Sequence, residues 1–94
     1  MKRKVIYTTK FKKDLKRYRS YPQKRAKIVE VVEMLANGVE IPTSMRPHRL
    51  FGNYVGHMEL HIEGDLLLIW IERKENGEEE IHLVRLGSHS ELFK

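Results

Sequence analysis

Residues 66–71, Leu-Leu-Leu-Ile-Trp-Ile, form an apolar run that follows Glu63-Gly64-Asp65 and leads into Glu-Arg-Lys. A strand that is apolar on both faces belongs in the middle of a sheet with cover on each side. The residues before it follow a different rule. From His57 the polar His57, Glu59, His61 and Glu63 alternate with the apolar Met58, Leu60 and Ile62. A period of two marks a half-buried strand and predicts that His61 points away from the side carrying Leu60 and Ile62. Glu63-Gly64-Asp65 then reads as a tight turn, with Asp65 at a strand start and close to His61 across it. Asn76-Gly77 is a second hairpin signal. Strands are therefore predicted at about 50–62, 66–73 and 79–86. Gly52 and Gly56 allow the backbone of the first of these to bend or be approached closely.

The other half of the chain reads as a short strand followed by two helices. Val5, Ile6 and Tyr7 carry a strand over 4–8, and Thr8 or Thr9 then caps a helix. Phe11, Leu15 and Tyr18 fall on one stripe of that helix. Ser20-Tyr21-Pro22 breaks it, and Pro22 suits the first turn of a second helix. Ala26, Val29, Val32 and Ala36 follow at helical spacing, broadened by Ile28, Val31 and Leu35, until Asn37-Gly38 ends the helix. The expectation is an α/β (α+β) fold: a twisted, mostly antiparallel sheet of about four strands with a two-helix hairpin packed on one face. The 94 residues make one domain, 1–94, with a modest core.

Charge narrows the partners. Lys and Arg number 18 against 13 Asp and Glu, a formal net charge of +5, which suits a polyanion such as RNA or an acidic protein. The surface of the first helix gathers Lys10, Lys12, Lys13, Lys16, Arg17 and Arg19, a face able to meet phosphates. The loop over 39–49 adds Arg46, His48 and Arg49. The chain has no cysteine, which excludes disulfides and a thiol nucleophile. No apolar run approaches the ~20 residues that span a bilayer, and the opening MKRKVIYTTK lacks the apolar stretch of a secretory signal. A cytoplasmic protein without a membrane partner is expected.

Five histidines in so short a chain direct attention to proton transfer near neutral pH. His57 and His61 have the spacing of a zinc protease pair, but Glu59 is one place late for that motif and the context is a strand. On a strand the two lie about 13 Å apart, too far to share one ion without a bend. No metal site and no cofactor are expected. Cleaving RNA without metal needs a base for the ribose 2′-hydroxyl, an acid for the leaving 5′-oxygen and positive charge on the phosphate.

The pattern H-x-L-x-G-x-(aromatic)-x-G, then E-x-H-(apolar)-E-x-D with an apolar run, then R-(apolar)-G-S-H-S-E-L-F, resembles the bacterial toxin ribonucleases of the RelE superfamily, the YafQ branch above all. The likeness spans essentially the whole chain. Two departures are Met58, where relatives often carry Arg, and Gly64, where they often carry Pro. The resemblance implies an mRNA interferase that cuts mRNA on the ribosome and is silenced by a cognate antitoxin. It implies that His48, His61, Asp65 and His89 carry proton transfer and that Arg85 supplies charge to the phosphate. It leaves open which is base and which acid; the assignment adopted is His89 as acid, with Asp65 and His61 on the base side. Lys12, Lys13, Lys16, Arg17, Arg46 and Arg49 are the expected RNA contacts. Phe93 either stacks on a base or anchors the tail, and His57 and His82 read as structural. Arg85 has a plainer reading too, as a surface arginine paired with Glu59 or Glu80. The alternatives are a non-catalytic toxin of the RelE/ParE fold acting on another target such as gyrase, and a chain that only binds its antitoxin or RNA.

Overall fold

Leu66 to Trp70 are each no more than 4% exposed and occupy the middle strand of a sheet that is covered on both faces. In the computed structural model, which describes residues 2–93, the strands are β1 (Lys4–Tyr7), β2 (His48–Arg49), β3 (Met58–Glu63), β4 (Leu66–Glu75) and β5 (Glu78–Gly87). The helices are α1 (Thr9–Lys16), α2 (Pro22–Ala36) and α3 (His89–Leu92). The sheet order is β1-β5-β4-β3-β2, antiparallel except where β1 runs parallel to β5. The α+β class is as the sequence predicts. The fifth strand is the two-residue β2, from a segment read as loop.

The first helix starts where Thr8 accepts from Phe11 N, and the Thr8 hydroxyl in turn donates to the Leu83 carbonyl at 2.7 Å, tying the cap to β5. Pro22 opens α2, and Gly38 follows its end at φ +69°. Phe11, Ile28, Val31 and Leu35 pack on Leu60, Leu68, Trp70, Leu83 and Leu86, the main core. The buried stripe of α2 is narrower than expected. It runs Ile28, Val31, Val32, Leu35 and Ala36, while Ala26 and Val29 lie off it and are exposed. Asn76 and Gly77 both have positive φ, the backbone a two-residue hairpin loop needs.

The strand expected from residue 50 begins only at Met58. Gly52 and Gly56 take φ of +69° and +87°, and the intervening segment coils into a 3₁₀ turn, Gly52–Tyr54, closed by Leu50 N donating to the His57 carbonyl at 3.0 Å. That coiled segment and α3 cover the second sheet face, where Leu67, Ile69 and Leu92 pack with Leu50, Tyr54 and Val84.

A charged residue joins the layers. Asp14 on α1 is buried, and its carboxylate accepts from Leu86 N at 2.9 Å and from Arg85 Nε at 2.8 Å. Removing it strands a backbone donor and a half-buried guanidinium together. Asp14→Ala is expected to lower unfolding free energy by about 1.5–3 kcal/mol in urea denaturation, with Asp14→Asn milder because one acceptor remains. Equal stability of Asp14→Ala and the parent chain would show that this joint carries no weight.

Candidate active site

The strand register aligns the polar residues of the second face. His48 pairs with Glu59, Glu59 with Ile69, and Ile69 with Arg85, so these four share one row across β2, β3, β4 and β5. The neighbouring row is His61, Leu67 and Gly87. Directly opposed residues point to the same side of a sheet. The row therefore places His48, His61 and Arg85 on the face that α3 also covers. His61 lies opposite the Leu60 and Ile62 side, as its alternation predicts, since those two are buried in the main core. The rings of His48 and His61 stand 6.3 Å apart, centre to centre.

Glu59 sits under this pair with its side chain 5% exposed, although His48 above it is 45% exposed. Its Oε1 lies 3.1 Å from His48 Nε2, and its Oε2 is buried with no hydrogen-bond partner among the described residues. His48 Nδ1 donates to the Arg46 carbonyl at 2.6 Å. A buried acceptor left unpaired costs roughly 1–3 kcal/mol, so packing alone does not favour a carboxylate here.

Asp65 is in the turn between β3 and β4, and its expected partner is not the one it takes. Its Oδ1 accepts from the backbone N of His89 at 3.0 Å. That bond brings together the two separated motif segments, because His89 opens α3. Ser88 caps this helix and accepts from Glu91 N, while Glu91 accepts from Ser88 N at 2.8 Å, a reciprocal capping box. The His89 ring lies 4.8 Å from Phe93, which is 5.5 Å from Tyr54, which is 5.6 Å from His57. Phe93 is thus held edge-on within an aromatic chain and still 36% exposed.

The expected partner of Arg85, Glu59 or Glu80, is also replaced. A bulge between Ile69 and Trp70 inserts Val84 into β5, and Arg85 turns its Nε and Nη2 to Asp14. The hydrogen bond to Asp14 pushes Arg85 further above its ordinary value, with burial opposing and the Tyr54 hydroxyl adding a smaller lift. Arg85 is a permanent cation, and two of its five N–H groups are taken by Asp14.

The remaining cations divide. Lys12, Lys13, Lys16, Arg46 and Arg49 are exposed and make no ion pair among the described residues. Arg17 is engaged, 3.7 Å from Asp14 and 3.2 Å from Glu91, and links α1 to α3. Arg49 pairs with Met58, so it falls on the opposite side of β2 from His48. Met58 itself packs against the main core, which takes this departure off the histidine face altogether. His82 pairs with Glu80 at 2.9 Å on β5, away from the row. Among the described residues, no three of His, Asp and Glu converge closely enough to hold a metal ion.

Sequence reasoning passed over Asp14, Tyr54 and Glu59. Asp14 carries no signal short of the fold, since its partner Arg85 is 71 residues away, whereas Tyr54 is the aromatic of the first motif segment. Glu59 could have been found, because it occupies the His61 side of the alternation two residues earlier.

This polar face lies on a sheet with three antiparallel pairings and one parallel, backed by a helical hairpin. The model of the family described as bacterial toxin of type II toxin-antitoxin system, YafQ, matches residues 3–94, and the chain belongs to that family. It is 30% identical over 66 residues to a YafQ toxin of Haemophilus influenzae, a match spanning 70% of this chain and 65% of that protein. It is 24% identical over 94 residues to the mRNA interferase toxin YafQ of Escherichia coli, covering 99% of this chain and 98% of that one. The crystal structure of YafQ from E. coli superposes with a TM-score of 0.86 over 98% of this chain and 99% of that one, and that protein has also been solved as the DinJ–YafQ toxin–antitoxin complex. A metal-bound toxin from Helicobacter pylori is 34% identical with a TM-score of 0.82, over 99% and 100% of the two chains.

The seat of α3 depends on the absence of a side chain at residue 87. A Cβ on Gly87 would lie 2.9 Å from Glu91 Oε1 and 3.5 Å from Leu92 Cδ2. Gly87→Ala is expected to break the capping box and lower stability by about 1 kcal/mol, the usual worth of a cap. Faster amide exchange at Glu91 and Leu92 is the accompanying readout, and unchanged exchange would count against it.

Proposed function

We propose that this chain is a ribosome-dependent endoribonuclease toxin that cleaves mRNA without a metal and is neutralised by a cognate antitoxin protein. The observation that carries the reading is the joining of the two motif segments through Asp65 and His89 on the same face as His48, His61 and Arg85. The membership in the YafQ family supports it, as does the mRNA interferase name of the E. coli relative. The exposed lysines of α1 suit an RNA or ribosomal surface.

In the proposed reaction the ribose O2′ bonds to the adjacent phosphorus and the bond from phosphorus to O5′ breaks. Asp65 and His61 stand on the base side and take the 2′ proton, while His89 gives a proton to O5′. The products are a cyclic phosphate and a 5′-hydroxyl. Arg85 faces the phosphate as it gains negative charge, when a fixed cation held by Asp14 helps most. Phe93 offers an aromatic face to a neighbouring base.

Expression of the chain alone is expected to arrest bacterial growth and translation, with recovery when its antitoxin is co-expressed. At saturating ribosome, His89→Ala is expected to slow single-turnover cleavage about 10²–10⁴-fold with binding nearly intact. A zinc-selective chelator should leave the rate unchanged. Wild-type cleavage by a folded His89→Ala protein would remove His89 as the acid, and loss of activity to the chelator would bring a metal into the reaction.

Binding gives an independent prediction. Changing Lys12, Lys13 and Lys16 to Gln is expected to flatten the slope of log affinity for RNA or ribosomes against log salt, by about 0.7–0.9 per lost phosphate contact. Arg17→Gln should add less, because its guanidinium is already engaged by Asp14 and Glu91. A slope left unchanged by the triple variant would assign that face to solvent or to the antitoxin.

A further inference from the structure

Glu59 is the buried charged group for which the reaction above has no use. Its burial, its unpaired Oε2 and its contact with His48 set it apart from the surface carboxylates. Both nitrogens of His48 face acceptors, the Arg46 carbonyl at 2.6 Å and Glu59 Oε1 at 3.1 Å. A carbonyl only accepts, so Nδ1 carries a hydrogen. An ionised carboxylate also only accepts, so the contact at Nε2 is attractive only when a proton lies between the two groups. A bare Nε2 would face Glu59 Oε1 lone pair to lone pair, whereas an Nε2–H closes a hydrogen bond, so both nitrogens are engaged by acceptors and neither is open to a proton from RNA.

We propose that Glu59 is a positioning residue that keeps His48 protonated on both nitrogens and pinned to the edge strand, so that His48 serves cleavage as a fixed cation and not as its base. The carboxylate lies buried beneath and the ring stands half exposed above it, so the positive end of the pair is what a phosphate meets. His61, on β3 like Glu59, also faces the ring, with centres 6.3 Å apart. Arg85, in the same row two strands further on, is turned to Asp14. With His48 withdrawn from base duty, the 2′ proton falls to His61 and Asp65. The effect on rate rests on the ribonuclease reading; the state of the ring does not.

The test has one readout of each kind. Nitrogen-15 spectra of the full chain near pH 7.5, with the His48 signals assigned by their loss in His48→Gln, should show two protonated ring nitrogens. In Glu59→Gln one nitrogen should lose its hydrogen, and in Glu59→Asp, which keeps the carboxylate, both should remain protonated. At saturating ribosome, the alkaline limb of the cleavage profile should move to lower pH in Glu59→Gln, because that variant lacks the carboxylate contact at Nε2. His48→Gln/Glu59→Gln should be no slower than His48→Gln alone, which also serves if Glu59→Gln proves poorly folded. A wild-type ring with one bare nitrogen, or a limb that stays put in Glu59→Gln, would overturn the proposal while leaving the ribonuclease reading intact. The expected ring states in a chain that cleaves no RNA would overturn the ribonuclease reading and, with it, the catalytic half of this proposal.

Discussion

A strand buried on both sides obliges the chain to build two unequal covers, and the rest of the molecule follows from that demand on β4. The main cover is two helices, whose Phe11, Ile28, Val31 and Leu35 supply large apolar side chains. Burial at ~25 cal/mol per Å² makes this layer the chief source of stability. The second cover is thin: Leu50, Tyr54, Val84 and Leu92 shield Leu67 and Ile69. A thin cover leaves room at its margins for His48, His61 and Arg85 to reach the surface from strand positions. Polar groups on strands are held more firmly than groups on loops, which suits chemistry that needs fixed distances.

The excess positive charge is unevenly free. Arg3 pairs with Glu72 and Glu79, Lys24 and Lys27 with Glu63, and Arg85 and Arg17 with Asp14. These cations fasten one element to another. Lys12, Lys13 and Lys16 on α1 and Arg46 and Arg49 before β3 take no part in these pairs, so those two places contribute to the field felt by an approaching polyanion. Exposed pairs contribute little to stability. The Asp14 joint differs because its carboxylate is buried and serves a backbone donor as well as a guanidinium. It orients Arg85 by the same contact that docks α1, which couples the cation of the candidate site to the packing of the main core.

The local elements were legible because their signals are local. The alternation from His57 to Glu63, the Asn76-Gly77 loop and the Thr8 and Pro22 helix starts depend on residues a few places apart, and each predicts what the structure contains. The segment after His48 misled because Leu50, Phe51, Tyr54 and Val55 have strand-like side chains, while Gly52 and Gly56 set its backbone. The stripe of α2 was read too wide, since periodicity gives a helix face but not how much of it the sheet covers. The partners of Arg85 and Asp65 were out of reach for a further reason. Asp14 and Arg85 are 71 residues apart, and Asp65 meets a backbone N–H, which leaves no pattern in side chains. The family resemblance named the polar positions, but the contacts among them follow from register.

His89, on α3, is the candidate site residue least fixed by the sheet, and its placement is a local matter. It begins a helix of four residues, too short to hold itself by its own backbone bonds. Four contacts substitute for length: the Ser88 and Glu91 capping box, the Asp65 carboxylate on the His89 N–H, Leu92 in the second core cluster, and the ring of Phe93. Glu91 also reaches Arg17 at the C-terminal cap of α1, so the same short segment is tied to both covers of the sheet. An acidic side chain at a helix start is favourable both as an acceptor and toward the helix dipole, and Asp65 fills that position from a different hairpin. The carboxylate assigned to the base side thereby also seats the proposed acid. Loss of Asp65 should disturb both ends of the reaction, so its effect on rate reports assembly of the site together with proton transfer.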